Sequence, residues 1–340
     1  MKFSVGYPFR EDDRFIEVVS RHKESLSELY FSFSDFPNGR SQIAANSALS
    51  RWDVFEKQKE DLERLSRLGL SFTLLLNGNC YGADAQSRDF FYKIGETLDY
   101  LGARYPLGCV TTTSPLIAKF IKQNFGTIEV RASVNMEIGT AQGMDYLADW
   151  FDSFYLKREY NRSLDRITAA RNWCDRNGKK LYGLANSGCL NECSAHHFHD
   201  NLVAHEAEIA KRDNAYQFEG QCWEYLKAEG KRKRWLSMTN FIRPEDVPAY
   251  EGLFDGMKLA TRVSRHFAKI IEAYAQASYN GNLPELLEPD HSGLFYPQVT
   301  DNASIDPQFA QTVLHCNKNC GDCNYCIQVQ QKATMQLKEF

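Results

Sequence analysis

Short apolar runs alternate with amphipathic ones over residues 1–280, and that alternation constrains the fold more than any other feature of the chain. Nine runs read as strands, each short and apolar or β-branched: FSVGY, LYFSF, FTLLLN, CVTTT, IEVRASV, SFYLK, LYGLAN, WLSMT and MKLAT. Between them lie segments patterned as helices, over 54–68, 87–101, 115–123 and 163–177. Pro115 follows Ser114, a capping residue with proline at the first helical position. Gly69, Gly126 and Gly178 fall where helices should stop. Alternating strand and helix predicts a parallel α/β fold, and the number of repeats favours a TIM-like (β/α)8 barrel over an open doubly wound sheet. Nine strands are one too many for that barrel; WLSMT is the expected extra.

Polar residues follow the apolar bodies of these strands. Asn77 follows the third, and Arg131, Ser133 and Asn135 lie along and after the fifth. Arg158 and Glu159 follow the sixth, Asn186 and Cys189 the seventh, and Lys258 and Arg262 close the last. In a barrel the strand C-termini converge on the face that carries the active site. Charges set among apolar residues, such as Arg131 in EVRASV, are therefore candidates to line a pocket.

Cysteine and histidine supply the second signal. The stretch NSGCLNECSAHHFHDN (186–201) holds Cys189, Cys193, His196, His197 and His199, and the tail HCNKNCGDCNYC holds Cys316, Cys320, Cys323 and Cys326. The net charge of -4 and pI of about 6.1 give no overall basic field. The run Lys231–Arg234, beside Trp223, Tyr225 and Trp235, is the local exception and the only hint of a nucleic-acid surface. No stretch approaches the roughly 18 apolar residues of a membrane span, and MKFSVGYPFREDD lacks the apolar region of a signal peptide. A cytoplasmic location is expected, where disulfides rarely persist, so the ten cysteines are expected to be ligands or buried thiols. Soft thiolates select iron–sulfur clusters or zinc. Cys222 is the natural third thiolate beside Cys189 and Cys193, Cys80 is a candidate fourth, and Cys109 and Cys174 read as core residues. A zinc set of Cys189, Cys193, His196 and His199 is the alternative. The tail spacing Cys-x3-Cys-x2-Cys-x2-Cys fits a 4Fe-4S cubane, with a four-cysteine zinc knob as the alternative. The organisation expected is a barrel over 1–280 with a Cys/His-rich insertion at about 186–234, then a linker and Cys-rich extension over 281–340.

The segment FIRPEDVPAYEGLFDGMKLATRVSRHFAKIIEAYAQA (241–277) resembles the closing segment of the collagenase-like peptidase family (U32). Lys258, Arg262, Tyr274 and Ala277 match that family's pattern, FYLKREYNRSLDRI resembles its Arg-Glu segment, and GLANSGCLNEC resembles its cysteine-bearing loop. The resemblance implies a barrel, often incomplete or decorated, with an iron–sulfur cluster held by four cysteines. It also implies relatives that take part in oxygen-independent ubiquinone hydroxylation or hydroxylate RNA bases. Here Cys189 and Cys193 are closer together than the family spacing, and the fourth ligand is not evident.

Three functions follow as expectations. The first is an iron–sulfur, oxygen-independent oxidoreductase or hydroxylase acting on a small, nucleobase-like or quinone-like substrate. In it one or two clusters are held by Cys189, Cys193 and Cys222 and by the tail. Asn77, Arg131, Asn135, Arg158, Asn186, Lys258 and Arg262 hold the substrate, and Glu159, His196 and His197 move protons. The second is a metal-dependent hydrolase, as the family name implies, although neither Gly-x-Ser-x-Gly nor His-Glu-x-x-His occurs. The third is a non-catalytic iron–sulfur protein that serves an electron donor or a homologous partner subunit.

Overall fold

In the computed structural model, which describes residues 1–33, 36–40 and 49–337, eight parallel strands close on themselves in chain order. They are β1 Phe3–Gly6, β2 Leu26–Phe31, β3 Ser71–Leu76, β4 Leu107–Thr112, β5 Glu129–Ala132, β6 Ser153–Tyr155, β7 Lys180–Leu184 and β8 Gly256–Leu259. β8 pairs back onto β1, which completes the (β/α)8 barrel. WLSMT is not a strand. Trp235–Ser237 form a single 3-10 turn, and Trp235 is wholly buried against Phe241 and Phe295. The buried Arg162 guanidinium donates to the carbonyls of Leu236, Thr239 and Phe241, and the run makes only an isolated bridge, between Thr239 and Leu190.

The outer helices bury one stripe each. Helix Arg88–Gly102 puts Phe90, Ile94, Leu98 and Leu101 against the sheet, at helical spacing. Ser114 caps helix Pro115–Asn124, its hydroxyl accepting from the Ile117 N–H at 3.3 Å. Gly69 and Gly178 take the left-handed conformation that ends a helix, whereas Gly126 does not.

Alternation along the strands makes two interiors. Outward residues join the helices in one large apolar core, while Val134, Tyr155 and Leu184 form a separate small cluster inside the barrel. Most other inward positions are polar. β5 and β2 are not neighbours, so the ion pair between Arg131 and Glu28 (2.9 Å) crosses the barrel interior.

Two segments decorate this frame. Between β7 and β8 lie the short helices His196–Ala204, Glu206–Ile209, Gln221–Leu226 and Glu229–Arg232. After helix Phe267–Gln276 the chain wraps the C-terminal face. There Glu288 bridges to Ser187, β9 (Gln298–Thr300) pairs antiparallel with β10 (Thr334–Gln336), and helices Phe309–His315 and Tyr325–Ala333 flank the tail cysteines. The Gln330 side chain accepts from the Leu236 N–H and donates to the Arg232 carbonyl, tying tail to insertion. Among the described residues no helix is long and apolar enough to cross a membrane.

Candidate functional site

The C-terminal ends of β2, β3, β5, β6, β7 and β8 converge on a mouth lined by Tyr30, Asn77, Asn135, Arg158, Lys258 and Arg262, together with Arg40 and Glu288. Lys258 and Arg262 are inward-facing residues of one line, four apart across the end of β8. The Lys258 ammonium lies 3.9 Å from the centre of the Tyr30 ring, and burial lowers its pKa to about 7, with the Arg262 charge adding to the effect. Burial likewise draws Arg262 down to about 10. Its Nη2 donates to Asn38 at 2.7 Å, while the buried Nη1 has no partner. Arg158 donates to Asn135 at 3.1 Å and reaches the Cys189 sulfur at 3.6 Å, leaving its Nε unpartnered. Arg40 is held by Glu288, whose carboxyl stays below its usual range because this arginine outweighs the effect of burial. The cavity itself is small, about 50 Å³. It can take a carboxylate-sized group and not a whole nucleobase or quinone.

The space for a larger body lies beside it. A chamber of about 270 Å³ adjoins the mouth through Arg40, Arg158 and Glu288 and is lined by Cys189, Cys193, Cys222, His196 and His199. An outer chamber of about 690 Å³ adjoins that one through Cys193 and Cys222 and also touches Cys316, Cys320 and Cys326. The two cysteine groups, far apart in sequence, therefore face a common space. Burial pushes the Cys222 thiol up to about 12, with Cys189 and Cys193 raising it further. Burial also raises Cys326, against the Arg162 charge and with Cys316, Cys320 and Cys323. All ten cysteines are unpaired.

Three expectations need correction. Arg131 does not line the mouth. It is buried deeper in the barrel, paired with Glu28 and Glu129 and bonded to Ser153, with its guanidinium 4.0 Å from the Tyr182 ring centre. Asn186 is spent on the backbone: its amide donates to Ala260 and Leu286 and accepts from the Ala260 N–H, which clamps the end of β7 to β8 and to the wrapping segment. Cys80 is hydrogen-bonded to His205 and does not line the chambers that hold Cys189, Cys193 and Cys222. Of the histidines, His196 is buried and its Nδ1 meets Glu137, whereas the His197 side chain is 76% exposed. The Lys231–Arg234 run is used locally, with Arg232 on the Leu294 carbonyl, Lys233 on Glu229 and Arg234 on the Cys320 carbonyl.

Residues that sequence reasoning missed share one trait: each reaches the site from a loop. Arg40 lies in the loop after β2, Glu137 just beyond β5, and Glu288 in the Pro-rich segment read as a linker. Arg162, two residues before helix Leu164–Arg176, was one charge among many on a polar segment. Only the run REYNR, with two arginines around one acid, carried a signal.

The fold and site define a parallel barrel whose cationic mouth is banked against cysteines. Over 97% of its length the chain is 25% identical to an uncharacterized protease, MJ1657, of Methanocaldococcus jannaschii, spanning 98% of that protein. Its fold is similar to that of a solved U32 peptidase, Mk0906, with a TM-score of 0.55 and 14% identity over 76% of this chain and 91% of that one. No family model matches the chain. These likenesses show the barrel fold, and the likeness in sequence is to a protein named as a protease.

Proposed function

We propose that the chain is an iron–sulfur enzyme that carries out oxygen-independent redox chemistry, a hydroxylation, on a small molecule whose anionic group docks in the barrel mouth. The contact between Arg158 and Cys189 carries this reading, because one guanidinium belongs both to the anion-sized mouth and to the cysteine trio. The tail spacing Cys-x3-Cys-x2-Cys-x2-Cys supports a cluster there, and the chambers of the two cysteine groups adjoin through Cys193 and Cys222. Cys189, Cys193 and Cys222 would hold one 4Fe-4S cluster, and Cys316, Cys320, Cys323 and Cys326 would hold a second, whose chemistry would be electron transfer. When bound with only three thiolates, the first cluster supplies an iron open to substrate or to a donor of the oxygen atom.

The chain's own residues then have definite tasks. Lys258 and Arg262 neutralise the substrate's anionic group by charge-assisted bonds, and Arg158 orients it toward the chamber. The narrow mouth excludes bulk water around that group. His197, at the rim, is placed to hold and release a proton.

The test is iron, sulfide and zinc per chain on protein purified without oxygen, for the wild type and for Cys222→Ser and Cys320→Ser. Two cubanes give about eight irons with matching sulfide and a broad absorption near 400 nm, and each variant loses about half. Zinc in place of iron in all three proteins overturns the reading and moves the chain to the hydrolase class.

A further inference from the structure

Outside the cysteine groups, one cluster of chemistry-bearing side chains stands apart. Glu137, Glu159 and His196 come from three successive loops of the C-terminal face, after β5, β6 and β7. One ligand atom of each lies within 4.8 Å of the other two, and among the described residues no other group of three His, Cys, Asp or Glu meets that limit. Glu159 is 9% exposed and its Oε2, buried, has no hydrogen-bond partner. A buried carboxylate oxygen with no donor is costly, and a cation removes the cost. His196, 7% exposed, turns its Nδ1 to Glu137 and its Nε2 toward Asp200, 3.4 Å away. Asp200 is fixed in turn by the Asn79 amide at 3.2 Å. The imidazole has one nitrogen in the ligand cluster, and the other, which makes no hydrogen bond, lies near an anchored carboxylate of the kind that orients metal-bound histidines.

We propose that Glu137, Glu159 and His196 form a mononuclear site for a divalent transition-metal ion, Mn²⁺, Fe²⁺ or Zn²⁺. Two carboxylates and one imidazole make a hard-to-borderline donor set that fits these ions. It does not fit Ca²⁺, which takes six to eight oxygens. On such an ion, bonds of about 2.0–2.2 Å bring ligand atoms about 3 Å apart, so closure needs only a small inward movement. Nδ1 of His196 and the Glu137 carboxylate already touch; a proton between them and a metal ion are alternative occupants of that nitrogen. Three protein ligands leave coordination positions open, as in catalytic sites. Glu159 lines the outer chamber and His196 the inner one, so a water on those positions would face the space that holds Cys193. The site does not depend on any cluster being present.

The experiment is a titration of the holoprotein with Mn²⁺ under anaerobic conditions, following the free-ion resonance by electron paramagnetic resonance, with iron content measured in parallel. The expected result is one saturable Mn²⁺ per chain. Binding should be lost in Glu159→Gln, an isosteric change that keeps the fold, and weakened roughly 10–100-fold in Asp200→Asn, with iron unchanged in both. No saturable Mn²⁺ binding, or binding of equal strength in Glu159→Gln, overturns the proposal. Iron content is read separately, so a failure of the cluster assignment is distinguishable from a failure of this one.

Discussion

Two sets of buried cations share the inside of one barrel, and they differ in what surrounds them. Deeper in, Arg131 is enclosed by Glu28, Glu129 and Ser153, and Lys180 also binds Glu129. Burial alone would draw the Arg131 pKa down, but Cys109, Glu28 and Glu129 outweigh it and hold the guanidinium well above its ordinary value. At the mouth, Lys258 and Arg262 have mostly each other, Arg40 and aromatic faces, and both are driven down instead. The first set is neutralised by the fold. The second is left for a ligand to neutralise. A buried charge therefore reports function by what it lacks, and position on a strand end is not enough.

The largest effect that tests this contrast is at Arg131. Arg131→Met leaves Glu28 buried without its cation, and Glu129 with Lys180 alone, and should cost about 3–5 kcal/mol of stability in a denaturant titration. A loss of binding with no loss of stability would place Arg131 in the site after all. Arg262→Ala should do the reverse. Binding of a small anion should weaken by about tenfold or more, roughly the 1.5–3 kcal/mol of a hydrogen bond to a charged group. Folding stability and iron content should hold. Lys258→Met removes a charge the fold does not compensate, so it should stabilise the protein by about 1–3 kcal/mol while weakening the anion. A destabilised Lys258→Met would show that the ammonium packs productively on Tyr30.

A further effect is in pH. The folded pKa of Lys258, about 7, lies below the ordinary lysine value, so between about pH 7 and 10.5 the unfolded chain holds a proton that the native one has released. Stability should rise with pH across that window, and anion binding should fall as Lys258 loses its charge. Lys258→Met should flatten both slopes; slopes unchanged in the variant would assign them to another group.

The same contrast explains what the sequence made legible. Period-two alternation and helical stripes report burial along one element, so the barrel, its eight strands and the capping of helix Pro115–Asn124 could be read directly. WLSMT misled because its carbonyls answer to Arg162, a residue some 75 positions away. Lys258, Arg262 and Arg158 were legible because each lies at or just beyond the end of a strand on the C-terminal face. Arg131 lies on such a strand and Asn186 just after one, but they find partners across the barrel and in the wrapping segment, and no local pattern reports those. Glu288 and Arg40 were invisible for the complementary reason, since both lie in loops whose composition says only that they are loops. The closeness of the two cysteine groups depends on how residues 281–337 wrap the barrel, which spacing within either group does not encode.

The measurement that tests most directly whether mouth and cysteines are one site is the paramagnetic resonance spectrum of the reduced, anaerobically purified protein, recorded with and without acetate, in wild type and Arg262→Ala. A carboxylate held at the mouth lies next to Arg158, which touches Cys189, so the cluster signal should shift in the wild type and stay still in the variant. A signal indifferent to acetate in the wild type, or one that shifts equally in Arg262→Ala, would contradict the account.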